Sequence, residues 1–227
     1  MDSFQQLQLR MKDCQKCLDE GFDIVPGAIF SGPQSARAMI IGQAPGVTEV
    51  EAKRPFNAGS GKRLFDWLNR AGWDESEFRR KQYMTSVTKC YPGKDRSGKG
   101  DRVPSKQEQL ICRPYLQQEF RIVDAVLIMP VGKLAIAQFF REFKRLSDLI
   151  GQAAYIPWEH RSHELPIVVK KSELTDAFTR KESLGGSWVV PLPHPSGASL
   201  WPNKPENKML IDRAINIIGD IRSAYDL

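Results

Sequence analysis

Apolar residues along the chain fall into short dense runs separated by longer stretches of helical period. Residues 37–41 (RAMII), 83–87 (YMTSV), 124–129 (DAVLIM) and 188–192 (WVVPL) read as strands. Two of these runs are almost continuously apolar, as expected of strands covered on both faces. Residues 3–17, 60–71, 105–120, 132–140 and 205–222 read as helices. Ser60 is a candidate N-cap, and Leu64, Phe65 and Leu68 share one face of its helix. Ser105 followed by Glu108 makes a capping-box pattern. Strands separated by helices predict a three-layer α/β/α fold with a central, mostly parallel four-stranded sheet. The 227 residues are read as a single domain with an insertion at about 151–187. Within that insertion LPIVV, residues 165–169, is a further candidate strand.

Right-handed crossovers align the strand C-termini along one sheet edge, and ligands of such sheets bind beyond that edge. Three segments end there: GQAPG at 42–46, TKCYP at 88–92 and PHPSGASLWPN at 193–203. The first belongs to MIIGQAPGVTEVEAKRPFNAGSG, in which a rigid Pro-Gly turn ends a strand and a lone Phe56 precedes small residues. Such a segment suits holding a flat group against backbone, although Phe56 alone reads more readily as an ordinary core residue. Gly59-Ser60-Gly61-Lys62 is not a phosphate loop, because no Gly stands at the required spacing before it and Arg63 occupies the Ser/Thr position. Residues 42–46 also lack the dinucleotide-binding fingerprint.

Composition narrows the classes. The chain is 41% hydrophobic with five Trp, enough for a sizeable core. It has no membrane-length apolar stretch, and its start, MDSFQQLQLR, lacks a secretory h-region, so a cytoplasmic protein is expected. Lys and Arg exceed Asp and Glu by 33 to 27. A +6 charge fits a polyanionic partner or a merely basic enzyme. Lys89, Lys94, Arg96, Lys99, Arg102 and Lys106 crowd one Gly- and Pro-rich stretch, read as a phosphate-contacting or simply solvated loop.

Cys14 and Cys17 form C-x-x-C, while Cys90 and Cys112 stand alone. In a cytosolic chain this argues against a disulfide framework. Zinc, a [4Fe–4S] cluster or four buried free thiols remain open. His160-x-x-His163 is a weaker metal candidate.

Together these segments resemble the uracil-DNA glycosylase superfamily, in particular its iron–sulfur bacterial and archaeal families 4 and 5. Gly42-Gln43-Ala44-Pro45-Gly46 resembles the first motif, continued by Arg54-Pro55-Phe56 and Gly59-Ser60-Gly61. Val87-Thr88-Lys89-Cys90-Tyr91-Pro92 resembles the segment of the third cysteine, and His194-Pro195-Ser196 the second catalytic motif. The match covers about residues 10–150 and 188–215, and its weight lies in the order of the five motifs.

The resemblance implies an enzyme that flips a deaminated base, uracil foremost, out of DNA and hydrolyses its N-glycosidic bond. It implies a [4Fe–4S] cluster on Cys14, Cys17, Cys90 and Cys112, DNA as partner and a monomeric chain. Backbone N–H groups of Gln43 and Ala44 would face a base carbonyl, with Gly42 permitting close approach and Phe56 stacking on the base. His194 would donate to the base oxygen as charge develops there. Ser196 would bind a phosphate, and Leu200 or Trp201 would fill the gap in the stack.

The chain also departs from the pattern. Gln43 stands where Glu is frequent, and Ala44 where the best-known uracil-specific branch has a catalytic Asp. Ser86 stands where most members carry Asn, so it either reads the base edge weakly or is a strand residue bonded to a neighbouring carbonyl. Lys53 replaces a common Gly, and the stretch between Cys90 and Cys112 is longer than usual. Two other readings follow: a glycosylase preferring hypoxanthine or xanthine, and a non-catalytic member that binds damaged DNA.

Overall fold

The computed structural model describes residues 3–158, 165–181, 185–196 and 199–227. Six strands form one sheet: β1 (Ala38–Gly42), β2 (Tyr83–Ser86), β3 (Leu127–Pro130), β4 (Ala153–Pro157), β5 (Leu174–Thr175) and β6 (Gly186–Val189), in the order β2-β1-β3-β6-β4-β5. The first four in that order are mutually parallel. They are the four apolar runs, and every residue in them is buried. Their register places Gly42 opposite Ser86 and Ile41 opposite Pro130, so the C-terminal ends of β1, β2 and β3 lie level.

The sheet is wider than the four strands expected. β4 pairs antiparallel with β6 and carries the short β5 at the edge. Both come from the stretch expected to be an insertion, so part of that stretch completes the sheet. LPIVV is not a strand, because only Val168 pairs, through an isolated bridge to Phe140.

Eight α-helices are found among the described residues: α1 (Phe4–Lys12), α2 (Lys16–Asp19), α3 (Val47–Ala52), α4 (Gly59–Arg70), α5 (Glu75–Lys81), α6 (Lys106–Ile122), α7 (Lys133–Ile136) and α8 (Pro205–Tyr225). The helix expected over 3–17 is broken between α1 and α2, and Cys14 lies in the break. Ser60 lies inside α4, whose N-cap is Ala58. The helix expected over 132–140 shrinks to the single turn of α7, after Gly132 at φ 84°. Ser105 caps α6 with Glu108 answering, as the pattern predicts. α1 and α2 pack on α6, while α4 packs on α8 and α8 on β3. These helices flank the sheet and leave its C-terminal edge to loops. No helix among the described residues is long and apolar enough to cross a membrane.

Candidate active site

A cleft of about 450 Å³ opens at the level ends of the parallel strands. Gly42, Gln43, Ala44, Pro45 and Gly46 line it from β1, Thr85 and Ser86 from β2, Val131 from β3, and His194 and Ser196 from the segment after β6. Phe56 forms another wall. The three segments expected at this edge therefore meet. The carbonyls of Gly42 and Gln43 accept from the N–H groups of Val87 and Thr88, tying the turn after β1 to the end of β2.

Phe56 is buried and has φ 52°, a left-handed conformation costly for an aromatic residue. Its surroundings enforce that conformation. Glu49 accepts the N–H of Phe56 on one oxygen and that of Gly46 on the other, at 2.6 Å. Arg79 donates to the carbonyls of Pro55 and Phe56 at 2.9 and 2.8 Å, while its guanidinium stacks 4.3 Å from the Phe65 centroid. Two glycines make room: a Cβ at Gly42 would lie 3.0 Å from the Phe56 ring, and one at Gly61 only 1.9 Å from the Phe56 carbonyl oxygen. Burial raises the Glu49 pKa, although its two backbone hydrogen bonds oppose this. Sequence reasoning missed Glu49 and Arg79. Glu49 had a signal, three positions after Gly46 at the start of a helix.

His194 packs against Gly132, where an added Cβ would lie 3.1 Å from ring Cδ2. The Ser196 N–H donates to Nδ1 at 3.2 Å, and Ser196 Oγ lies 2.9 Å from the same nitrogen. A nitrogen that accepts an amide N–H carries no proton, so the neutral ring bears its hydrogen on Nε2. Burial lowers the His194 pKa below its ordinary value, favouring that neutral form.

Ser86 lines the cleft, yet its hydroxyl donates to the Thr88 carbonyl at 2.7 Å. Ser86 therefore lines the cleft while its proton is committed to a neighbouring carbonyl, which is the second of its two readings. Beneath it lies an ion pair invisible in the sequence. Lys89 Nζ is 2.5 Å from Glu119 Oε2 and also donates to Thr85 Oγ1 and the Ser86 carbonyl. Both side chains are almost wholly buried, at 2% and 0% exposure. The other Glu119 oxygen accepts from Tyr83 and Thr85 at 2.9 Å.

Lys89 is therefore no part of an exposed basic loop. Lys94 pairs with Asp101, and Arg102 makes two 2.7 Å bonds to Glu108. Arg96, Lys99 and Lys106 are exposed. Leu200 is 72% exposed, whereas Trp201 is half-buried against the core and holds Asn207 through its carbonyl. His160 and His163 lie outside the described residues.

All four cysteines line one second pocket, with Met11, Ile24, Ile111 and Tyr115 among its walls. The Lys89 N–H donates to Cys112 Sγ at 3.3 Å. Burial pushes the thiol of Cys17 up to about 11 and that of Cys90 up to about 12, with the neighbouring thiols adding to both shifts. Among the described residues, no three His, Cys, Asp or Glu side chains gather as they would around a single metal ion. Thr88 also lines this pocket, and its buried Oγ1 has no partner among the described residues.

The family model for the uracil DNA glycosylase superfamily matches residues 29–217. Cys14 and Cys17 lie before that match. A type-4 uracil-DNA glycosylase of Pyrobaculum aerophilum is 32% identical over 186 residues, covering 81% of this chain and 88% of the relative. One of Sulfurisphaera tokodaii is 28% identical over 73% of this chain and 71% of its own. One of Thermotoga maritima is 29% identical over 76% and 93%. A match over most of the chain, on a sheet whose C-terminal edge gathers the expected motifs, makes this protein a member of the uracil-DNA glycosylase superfamily.

Proposed function

We propose that this chain is a DNA glycosylase that extrudes uracil from DNA and hydrolyses its N-glycosidic bond, leaving an abasic site. One observation carries the reading: His194, whose Nδ1 accepts the Ser196 N–H and so leaves the ring proton to Nε2, lines the same cleft as the GQAPG turn and Phe56. Breaking the bond to the sugar leaves negative charge on the base. A fixed N–H aimed at the base oxygen stabilises that charge as it forms, and a buried site strengthens the effect. Phe56, in its enforced conformation, supports the flat face of the base. Gln43 and Ala44 border the same space with Gly42, and Ser196 orients His194 beside any phosphate role. Leu200, the more exposed of the two wedge candidates, is the one free to enter the base stack. The enzyme would act in the cytoplasm as a monomer, on DNA containing deaminated bases.

Ser86 supports a breadth of substrate beyond uracil. With its proton donated to Thr88, it offers the cleft only lone pairs. A lone pair accepts the ring N–H that deamination creates in both uracil and hypoxanthine. It supplies no donor for the neighbouring carbonyl.

Cys14, Cys17, Cys90 and Cys112 would hold a [4Fe–4S] cluster. Four soft thiol donors lining one largely apolar pocket suit such a cluster. Thr88 Oγ1, buried in the same pocket without a partner among the described residues, would be a donor available to the cluster. Its contribution would be structural, joining the N-terminal segment to the segment after β2.

The test is abasic-product formation on oligonucleotides bearing uracil, hypoxanthine or xanthine. Excision of uracil is expected, with His194→Ala slower by about 10²-fold in single turnover. Binding without excision of any of the three bases would leave the non-catalytic reading in its place.

A further inference from the structure

Hydrolysis needs a water brought to the anomeric carbon, and the turn that lines the cleft contributes Gln43 and Ala44 but no carboxylate. Three other carboxylates line the same cleft: Glu49, Asp95 and Asp101. Two of them are committed. Both Glu49 oxygens hold backbone N–H groups. Asp95 holds the N–H and hydroxyl of Ser97 on Oδ1, and its Oδ2 faces its own loop rather than the GQAPG turn, 2.9 Å from where a Cβ on Gly100 would lie.

Asp101 differs. Its Oδ1 is fixed by the Tyr91 hydroxyl and Lys94 Nζ, each at 2.9 Å. Its Oδ2 faces the GQAPG turn, where a Cβ added to Gly46 would lie only 2.9 Å away. No hydrogen bond to Oδ2 is found among the described residues. The carboxylate is thus held at one oxygen and presents the other to the cleft that contains His194. The loop bearing it is the long stretch between Cys90 and Cys112, braced by the Lys94–Asp101 bridge and by Arg102 on Glu108.

We infer that Asp101 is a catalytic base of this enzyme, orienting and deprotonating the water that attacks the sugar. The inference rests on the glycosylase reading above. The water oxygen forms a bond to C1′ while the bond from C1′ to the base nitrogen breaks, and that electron pair leaves with the base. Asp101 takes the water proton and later returns it to solvent, while the base anion, held by the His194 N–H, takes a proton from solvent. The charged or titratable groups around Asp101 are Lys94 and Tyr91 at Oδ1, Glu49 across Gly46, Arg102 next in the chain, and Asp95 and His194 in the cleft.

Asp101→Asn is a discriminating variant, because the amide oxygen still serves Tyr91 and Lys94 while the cleft oxygen loses its basicity. Single-turnover excision of uracil is expected to fall about 10²-fold or more, with binding of the same oligonucleotide unchanged. Asp101→Ala should recover activity with added formate, a small carboxylate that can occupy the vacated space. An Asp101→Asn rate equal to wild type, or a loss that formate fails to recover in Asp101→Ala, overturns the inference. If the wild-type chain excises none of the three deaminated bases, the glycosylase reading itself fails. A wild-type chain that depends on His194 but not on Asp101 leaves that reading standing.

Discussion

At the scale of single residues, the cleft depends on what two glycines leave out. Ala normally stabilises a helix over Gly by about 1 kcal/mol. At Gly61, inside α4, the sign reverses, because a methyl group there would sit on the Phe56 carbonyl. Gly61→Ala should cost about 1–3 kcal/mol, the usual range for overpacking. It should slow excision by displacing Phe56, as thermal unfolding and single-turnover rates would register. An unchanged melting temperature would mean that the helix start yields without disturbing the ring. Ser86→Asn tests the base edge. An amide facing the base supplies both a donor and an acceptor, and such a pair is worth roughly 1–3 kcal/mol of discrimination. Single-turnover excision of uracil, which presents a ring N–H and a neighbouring carbonyl together, should rise accordingly. A rate equal to that of the wild type would remove Ser86 from base recognition.

At the scale of elements, the segment after β2 and α6 are joined by a charge pair that neither could bury alone. Removing one partner of a buried pair typically costs about 3–5 kcal/mol, because the other is left uncompensated. Lys89→Met should therefore lower the melting temperature markedly. Adding Glu119→Gln should recover part of the loss, since a neutral amide still accepts from Tyr83 and Thr85. A double variant no more stable than Lys89→Met would locate the cost in packing rather than charge. This pair also marks where sequence reading stops. Lys89 looked like one more cation in a basic stretch, and only the fold places Glu119 against it, thirty residues on. The four parallel strands were legible because continuous apolar runs are what two covered faces require. β4 and β5 were not: β4 is a five-residue run ending in Pro157 inside the stretch read as an insertion, and β5, at the sheet edge, has two residues and so no alternation to show. α3 and α5, of six and seven residues, are too short for a helical period to emerge. The loop motifs pointed to the right sheet edge. Of the side chains that shape it, Glu49 carried a capping signal, whereas Arg79 and Asp101 arrive from other elements and carry no pattern of their own.

At the scale of the whole molecule, the cysteine pocket ties the N-terminal segment to α6 and to the end of β2. If it holds an iron–sulfur cluster, protein purified without oxygen should be brown and contain iron and acid-labile sulfide in equal amounts. Colourless protein with stoichiometric zinc would overturn that assignment. Because Lys89 contributes its N–H to Cys112 and its ammonium to the Ser86 carbonyl, loss of the cluster should disturb the cleft as well as the fold. Uracil excision should accordingly fall as iron is removed, measured on the same preparation.

The placement of those four thiols has a consequence for how the protein is made. Cys14 and Cys112 are 98 positions apart in the chain. At about 5–20 residues per second, the ribosome needs roughly 5–20 s to deliver the second after the first. Throughout that interval the emerging chain displays a C-x-x-C pair with half its pocket still unmade. Any metal or oxidant captured then is captured by two sulfurs, or by three once Cys90 has been added, rather than by four. The order of synthesis thus opens a window in which the nascent chain is most open to mismetallation or oxidation, and α6, by bringing Cys112 into place, is the element that closes it.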